Sequence, residues 1–311
     1  MTQVLRALED AARRSWLAGF LPLVRERLPW LHRALLRLRD RAVPLAAAGG
    51  LSRYQDRALR RFEALGSPLL PGDVLLEIGS DEAGAVLAGL AARFGARVAG
   101  VNPLVNRTQL PPATSGRPGQ PLAQADARHL PFADESVSRI FSVATLEHVL
   151  GLERALQECY RVLAPGGLFY ADFGPIWSCS VGHHVYARVG DEEARHWKPG
   201  KNPVPNYAHL LLDREALRRR IDGTLSQPLL EAVLAWIYDG DGINRLFYED
   251  YLLAFERSAF DMVRFQPVLE HVPARTQRAL RQAYPERREF RCRMIEVVLR
   301  KPPGGAHGRI A

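Results

Sequence analysis

Between residues 173 and 210 the chain concentrates side chains that can handle protons and bind a small polar molecule. The run Phe173-Gly174-Pro175-Ile176-Trp177-Ser178 is followed by Gly182-His183-His184-Val185-Tyr186, His196-Trp197 and Asn206-Tyr207-Ala208-His209-Leu210. Imidazole is the side chain whose ordinary titration lies near neutral pH, so His183 or His184 is the first candidate for a general base and His209 the second. Trp177, Tyr186 and Tyr207 offer flat surfaces with a polar edge and are candidates for the body of an acceptor pocket. For any one of these histidines the plainer role is to close a loop by bonding a backbone group. Asp172, His183, His184 and His209 also have the chemistry to ligate a divalent ion. However, adjacent histidines on a strand point to opposite faces and no i, i+4 helical pair is present, so no metal is assigned.

A second place with chemical potential is Asp73 to Gly84, reading Asp-Val-Leu-Leu-Glu-Ile-Gly-Ser-Asp-Glu-Ala-Gly. An apolar strand ends on an acidic residue, Glu77, and a turn opens a helix from Ala85 to Phe94. Doubly wound α/β sheets bind nucleotide-like ligands in the crevice beyond the carboxyl ends of their strands. Gly79 would let the backbone approach such a ligand without a side chain in the way.

These two places need a scaffold, and the pattern supplies one. From Asp73 the chain alternates strand and helix: strands at 74–78, 97–101, 122–125, 138–143 and 166–173, helices at 85–94 and 152–163. A Pro- and Gly-rich loop runs from Pro103 to Pro121. Such alternation predicts a doubly wound, mainly parallel sheet with helices on both faces. Phe260 to His271 and Phe290 to Leu299 read as final strands, separated by a helical piece at 274–283, which suits an antiparallel edge. Roughly ninety residues of different texture lie before them, with helical patterns at Arg214 to Ile221 and Tyr248 to Phe260; an insertion of this size over the sheet's carboxyl edge predicts a substrate lid. At the other end, residues 2–41 place apolar Leu, Trp and Phe at helical spacing with Arg opposite, and Arg53 to Leu65 forms a second helix stopped by Gly66-Ser67-Pro68. The boundaries expected are a helical extension over 1–70, a ligand-binding core over 71–175, a lid over 176–259, and sheet-completing strands with a basic tail over 260–311.

The net charge of +8 is distributed unevenly: +7 over residues 1–72, −6 over 73–270 and +7 over 271–311. A nucleic-acid enzyme usually surrounds its site with positive charge, so the acidic middle argues against nucleic acid as partner. No run approaches the roughly 18 apolar residues of a membrane span. The apolar piece Trp16 to Val24 lacks a convincing signal cleavage site, and a cytoplasmic protein is expected. Peripheral membrane contact through the N-terminal helix, or pairing of that helix in a homodimer, are partner readings its stripe of Trp and Arg leaves open. The three cysteines, Cys159, Cys179 and Cys292, are widely spaced with no CxxC pair, which argues against a disulfide framework or zinc ribbon.

Four segments, in order, carry a resemblance. They are Val-Leu-Leu-Glu-Ile-Gly (74–79), Asp126-Ala127-Arg128-His129-Leu130-Pro131-Phe132, Ser142 to Val149 (Ser-Val-Ala-Thr-Leu-Glu-His-Val), and Arg161-Val162-Leu163-Ala164-Pro165-Gly166-Gly167. Together they resemble the class I S-adenosylmethionine-dependent methyltransferases, most closely the type 11 small-molecule branch, over about residues 70–175. The resemblance implies a Rossmann-like seven-stranded sheet and S-adenosylmethionine as cofactor. It implies cofactor contacts from Glu77, Gly79, Ser80, Asn102, Asp126, Ala127, Ala144 and Thr145, with His148 shaping the acceptor pocket. It places the histidine-rich segment beside the transferred methyl group. The function implied is methyl transfer to an oxygen or nitrogen of a small polar acceptor, of glycan or natural-product type, assisted by histidine. Two departures stand out: the family's later turn glycines are replaced by Asp81 and Ala83, and the acidic residue that usually ends the second strand is replaced by Asn102. They keep open an alternative, a methyltransferase-fold protein with lost or repurposed activity acting as partner or scaffold. Methylation of nucleic acid is disfavoured by the acidic middle and by the absence of an Asn-Pro-Pro-Tyr-type motif after the fourth strand.

Overall fold

A computed structural model describes residues 51–65, 72–81, 84–104, 122–198 and 200–304. The chain divides into two compact units, residues 1–53 and 54–311. The first lies almost wholly outside the described residues, and with it the expected helix over 2–41 and the readings attached to that helix.

The second unit is built on one sheet. Its elements in order are α1 (Arg53–Glu63), β1 (Val74–Ile78), α2 (Ala85–Phe94), β2 (Arg97–Val101), β3 (Leu122–Ala123), β4 (Val137–Val143), a 3₁₀ turn (Leu146–His148), α3 (Leu152–Val162) and β5 (Leu163–Phe173). The later elements are β6 (Tyr186–Val189), β7 (Glu192–Arg195), α4 (Ala208–Leu211), α5 (Arg214–Ile221), α6 (Gln227–Tyr238), α7 (Tyr248–Glu256), β8 (Asp261–Leu269), α8 (Ala274–Ala283) and β9 (Cys292–Arg300). The seven strands lie in the order β3-β2-β1-β4-β5-β9-β8. Strands β1 to β5 pair parallel, and β9 and β8 run antiparallel at one edge. This is the doubly wound, Rossmann-like sheet expected from the sequence.

Parallel strands covered on both faces read as near-continuous apolar runs, and β1 is buried from Leu75 to Ile78. Because successive side chains point to opposite faces, β4 and β5 serve two layers at once. On one face Phe141 and Tyr170 meet Phe62 of α1, with ring centroids 5.3 Å and 5.8 Å away. On the other, Ile140, Phe169 and Phe173 join the core with Leu156, Cys159 and Val162 of α3 and Tyr251 and Phe255 of α7. The α1 face also carries a polar cluster: the Tyr54 hydroxyl donates to the Asp172 backbone oxygen at 2.6 Å, and Arg61 holds Glu296 at 2.6 Å. Asp172, weighed above as a metal ligand beside the histidines, instead faces Tyr54 and Arg61.

Ala164-Pro165-Gly166-Gly167 does not simply precede the fifth strand. Strand β5 begins at Leu163 against Val137, and the register then jumps from Val137↔Leu163 to Arg139↔Leu168, so the Pro-Gly-Gly stretch forms an irregularity inside the strand. The region between β5 and β8 has an apolar core of its own. Trp177, Val185, Tyr207, Leu217 and the inward residues of α6 pack together there with Leu280 and Phe290.

Candidate functional site

The carboxyl ends of β1, β2, β4 and β5 bring the two chemically equipped segments to one edge of the sheet. At the end of β1, Gly79 has φ +86°, and a Cβ placed on it would lie 2.0 Å from Thr145 Oγ1. Glycine is thus required twice there, by the left-handed backbone and by the close approach of the β4 turn. Ser80 Oγ donates to Glu77 at 2.7 Å. Burial pushes the Glu77 carboxyl up to about 8. Asp81 caps α2 by accepting from the Ala85 N–H at 3.2 Å, while its second oxygen, Oδ2, is buried with no hydrogen-bond partner among the described residues.

Asn102, at the end of β2, is used internally. Its Nδ2 donates to Ser80 O at 2.7 Å and its Oδ1 accepts from the Leu104 N–H at 2.8 Å. Asp126 accepts from the Arg128 backbone N–H at 2.8 Å and from the Arg128 guanidinium at 2.7 Å. These bonds hold its carboxyl below the usual carboxylate range, with the side chain still one-third exposed. Ala127 beside it is buried. After β4, Ala144 takes φ +50° and the Thr145 hydroxyl turns back to Val143 O at 2.9 Å. Non-glycine residues at positive φ are uncommon and gather where a site over-determines the backbone. Ala144, His184 (φ +48°) and Tyr207 (φ +65°) are three such residues, all named from the sequence.

The histidines form a chain of rings. His148 lies 4.9 Å from His184, His184 stacks on His196 at 4.6 Å, and His183 sits 5.3 Å from His209, which abuts Trp177 at 4.7 Å. Burial pushes His183 and His184 well below the ordinary histidine range and His209 down to about 4, so all three are neutral at physiological pH. Backbone bonds then fix their tautomers. His184 Nε2 donates to Pro175 O and His209 Nε2 donates to Trp177 O, leaving Nδ1 as the lone pair on each. His183 has the same tautomer but the other nitrogen is bonded: Nδ1 accepts from the Val185 N–H at 3.1 Å, so Nε2 carries the proton and meets no acceptor among the described residues. A neutral ring whose lone pair is already bonded can only donate from its free side and takes no proton there. His148, the exposed member, bonds Gly242 O through Nδ1.

The sequence-named pocket residues are not all gathered. Tyr207 is buried and its hydroxyl lies between Glu270 Oε1 at 2.8 Å and Phe290 O at 3.1 Å, which makes it a brace between the segment after β5 and the C-terminal strands rather than a pocket wall. Tyr186 is half exposed on β6 beneath the Arg195 guanidinium, which lies 4.8 Å from its ring. Trp177 is buried, with Arg245 over its ring. Two clefts of about 410 Å³ each lie away from this edge, one between α3 and α7 and one beside the β6–β7 hairpin. The residue the sequence reading passed over is Glu147. It is 1% exposed, accepts the Gly174 N–H at 3.0 Å through Oε1, and leaves Oε2 without a partner among the described residues. Its signal was present in the Leu-Glu-His-Val segment but attached to His148 alone.

A parallel sheet with an antiparallel edge, a turn after β1, and acidic residues at the ends of β1 and beyond β3 define the class I methyltransferase architecture. Residues 76–171 match the family model described as a methyltransferase domain, type 11. The chain is 34% identical over 130 residues to Methyltransferase GfsG of Streptomyces halstedii, covering 40% of this chain and 43% of that protein. It is 48% identical over 125 residues to the malonyl-[acyl-carrier protein] O-methyltransferase of Methylococcus capsulatus, covering 36% of this chain and 42% of that one. The matched stretches thus span less than half the length of these relatives. Among solved structures, an S-adenosylmethionine-dependent methyltransferase from Mesorhizobium loti aligns over 78% of this chain and 96% of its own, with 17% identity and a TM-score of 0.45.

The domain implies S-adenosylmethionine, and the donor set fits that molecule in kind. Its methionine end carries an ammonium and a sulfonium, and the turn after β1 offers the unpartnered Asp81 Oδ2 together with the Glu77 carboxyl. The ionised, partly exposed Asp126 is suited to accept from an adenine amino group. Asn102 does not contribute in the same way, since both ends of its amide are already bonded within the protein. Among the described residues no helix is long and apolar enough to cross a membrane.

Proposed function

We propose that the protein methylates an oxygen or nitrogen of a small polar acceptor, of glycan or natural-product type, using S-adenosylmethionine. When bound, that cofactor supplies an electrophilic methyl group. The observation that carries the reading is the meeting, at the ends of β4 and β5, of the cofactor-side turn with neutral imidazoles whose lone pairs are unspent. His184 is the base, because Pro175 O fixes the tautomer that leaves Nδ1 free; His148, beside it, offers Nε2. The aromatic and apolar residues of the lid keep water away, and burial keeps the His184 ring uncharged with its Nδ1 lone pair free. The residues of the cofactor turn contribute alignment, the larger part of catalysis in a displacement of this kind.

The test has two parts. Titration calorimetry with S-adenosylmethionine and S-adenosylhomocysteine should show binding of both; absence of heat with either at millimolar concentration refutes the reading. With an acceptor in hand, His184→Ala should lose about 10²–10⁴-fold in turnover, the usual contribution of a general base, while cofactor affinity stays the same. Equal turnover in the wild type, His183→Ala, His184→Ala and the double variant would sink the role given to histidine. Two observations favour a second reading, a partner or scaffold without transfer: Thr145 fills the space beside Gly79, and the Asn102 amide is spent on Ser80 O and the Leu104 N–H. The same calorimetry separates the two.

A further inference from the structure

We propose that Glu147, His148 and His184 form a binding site for a divalent first-row transition ion such as zinc or iron(II). The three side chains converge from different parts of the chain. Glu147 and His148 come from the 3₁₀ turn after β4, and His184 comes from the loop that follows β5. One ligand atom from each lies within 4.8 Å of the others.

What makes the cluster a site is how the other atoms are used. Glu147 Oε1 takes the Gly174 N–H, which leaves Oε2 buried and unpartnered. His184 Nε2 donates to Pro175 O, which leaves Nδ1. His148 Nδ1 donates to Gly242 O, which leaves Nε2. Among the described residues no hydrogen bond is made by His184 Nδ1 or His148 Nε2. A backbone group therefore orients each of the three side chains and leaves each with a free lone pair for an ion. Outer bonds of this kind set the tautomer and ring angle of metal-bound histidines. The lid holds the turn in place: Asn244 Nδ2 donates to Leu146 O at 2.8 Å and its backbone N–H to Glu147 O at 2.9 Å.

Two imidazoles and one carboxylate suit borderline transition ions rather than magnesium or calcium, which prefer all-oxygen shells. With metal–ligand bonds of about 2.0–2.2 Å, ligand atoms sit about 3–4 Å apart. Closing the site therefore asks for a shift of the order of 1 Å, and exposed His148 is free to make it. Three protein ligands leave coordination positions open for an oxygen from solvent or substrate. If methyl transfer is the function proposed above, and the following role rests on that reading, the open position takes the acceptor oxygen. A bound ion would lower the pKa of the acceptor hydroxyl, its proton would leave to solvent water, and His184 would then act as ligand in place of the base role given to it in the metal-free reading.

The experiment uses the full chain, stripped with a chelator and titrated with cobalt(II), whose visible absorption reports its coordination, with zinc(II) in competition and magnesium(II) as comparison. One equivalent of cobalt(II) should bind, be displaced by zinc(II) and be indifferent to magnesium(II). His148→Ala, exposed and so safe for folding, and Glu147→Gln should each lose at least about 10-fold in affinity, the lower end of what even outer-shell changes cost. Exposed His271→Ala should bind as the wild type does. Failure of the wild type to bind cobalt(II), or equal binding in all four proteins, overturns the proposal. Calorimetry with S-adenosylmethionine on the same samples separates the outcomes: cobalt(II) uptake without cofactor binding defeats only the transfer reading, and the reverse defeats only the metal site.

Discussion

Glu77 gives the most quantitative prediction. Its carboxyl is buried at the end of β1 with one bond, from Ser80 Oγ, and burial lifts it from an ordinary value near 4.5 to about 8. In the unfolded chain it ionises near 4.5, while in the fold it keeps its proton until about 8. Between those values the unfolded state is the one that has released a proton, so raising pH favours unfolding by about 1.4 kcal/mol per pH unit. The contribution is complete below 4.5 and lost by about pH 8, and it sums to about 5 kcal/mol. Glu77→Gln keeps the shape and cannot ionise. At pH 5 the variant should match the wild type or lose about 1 kcal/mol, because its new amide N–H lacks an acceptor. By pH 8 it should be the more stable of the two by a few kcal/mol. Chemical denaturation of both proteins at unit steps from pH 5 to 9, at fixed temperature, measures the gap. Parallel stability curves across that range would refute the assignment of a protonated carboxylic acid to this position.

Two further expectations concern the same turn. Gly79→Ala should cost at least about 2 kcal/mol, from left-handed strain together with a Cβ at 2.0 Å from Thr145 Oγ1. A double-mutant cycle with Thr145→Gly should recover the contact part, and additivity of the two changes would show that the side chain is not the obstacle. Asn102→Asp would convert the donor to Ser80 O into an acceptor and should destabilise by about 1–3 kcal/mol at pH 7. Unchanged denaturation midpoints would show that the Asn102 bond to Ser80 does not hold the turn.

The core of the fold was legible because its strands are buried on both sides and so announce themselves as short apolar runs; Val-Leu-Leu-Glu-Ile is one of them. At the antiparallel edge β9 was legible for the same reason, whereas β8 is mostly exposed, with Met262 and Phe265 partly buried against the core. Helix α6, Gln227–Tyr238, was passed over although Ser226 and Pro228 mark its start. It packs against both β6 and α5, so its apolar residues spread around the helix instead of forming one stripe. The β6–β7 hairpin turns at Gly190 (φ +57°) between charged residues that give no clean alternation. At the site, spacing named the histidines but could not say which nitrogen of each is spent, because the partners are backbone carbonyls of Pro175, Trp177 and Gly242. Glu147 was hidden for a related reason: its value lies in an oxygen left over after Gly174, 27 residues away, has taken the other.

The placement of β9 has a consequence for how the chain is made. Strand β5 is buried from Leu168 to Phe173, and the partner that covers its open side, β9, is Cys292–Arg300. During synthesis the parallel strands and the whole segment between β5 and β8 emerge before that partner does. Until then β5 presents a long apolar strand edge, the kind that pairs with whatever strand is nearby. A chain that has exposed Phe173 but not yet residue 292 would therefore display an adhesive intermediate. A chaperone would find its binding window between the appearance of Phe173 and that of Arg300.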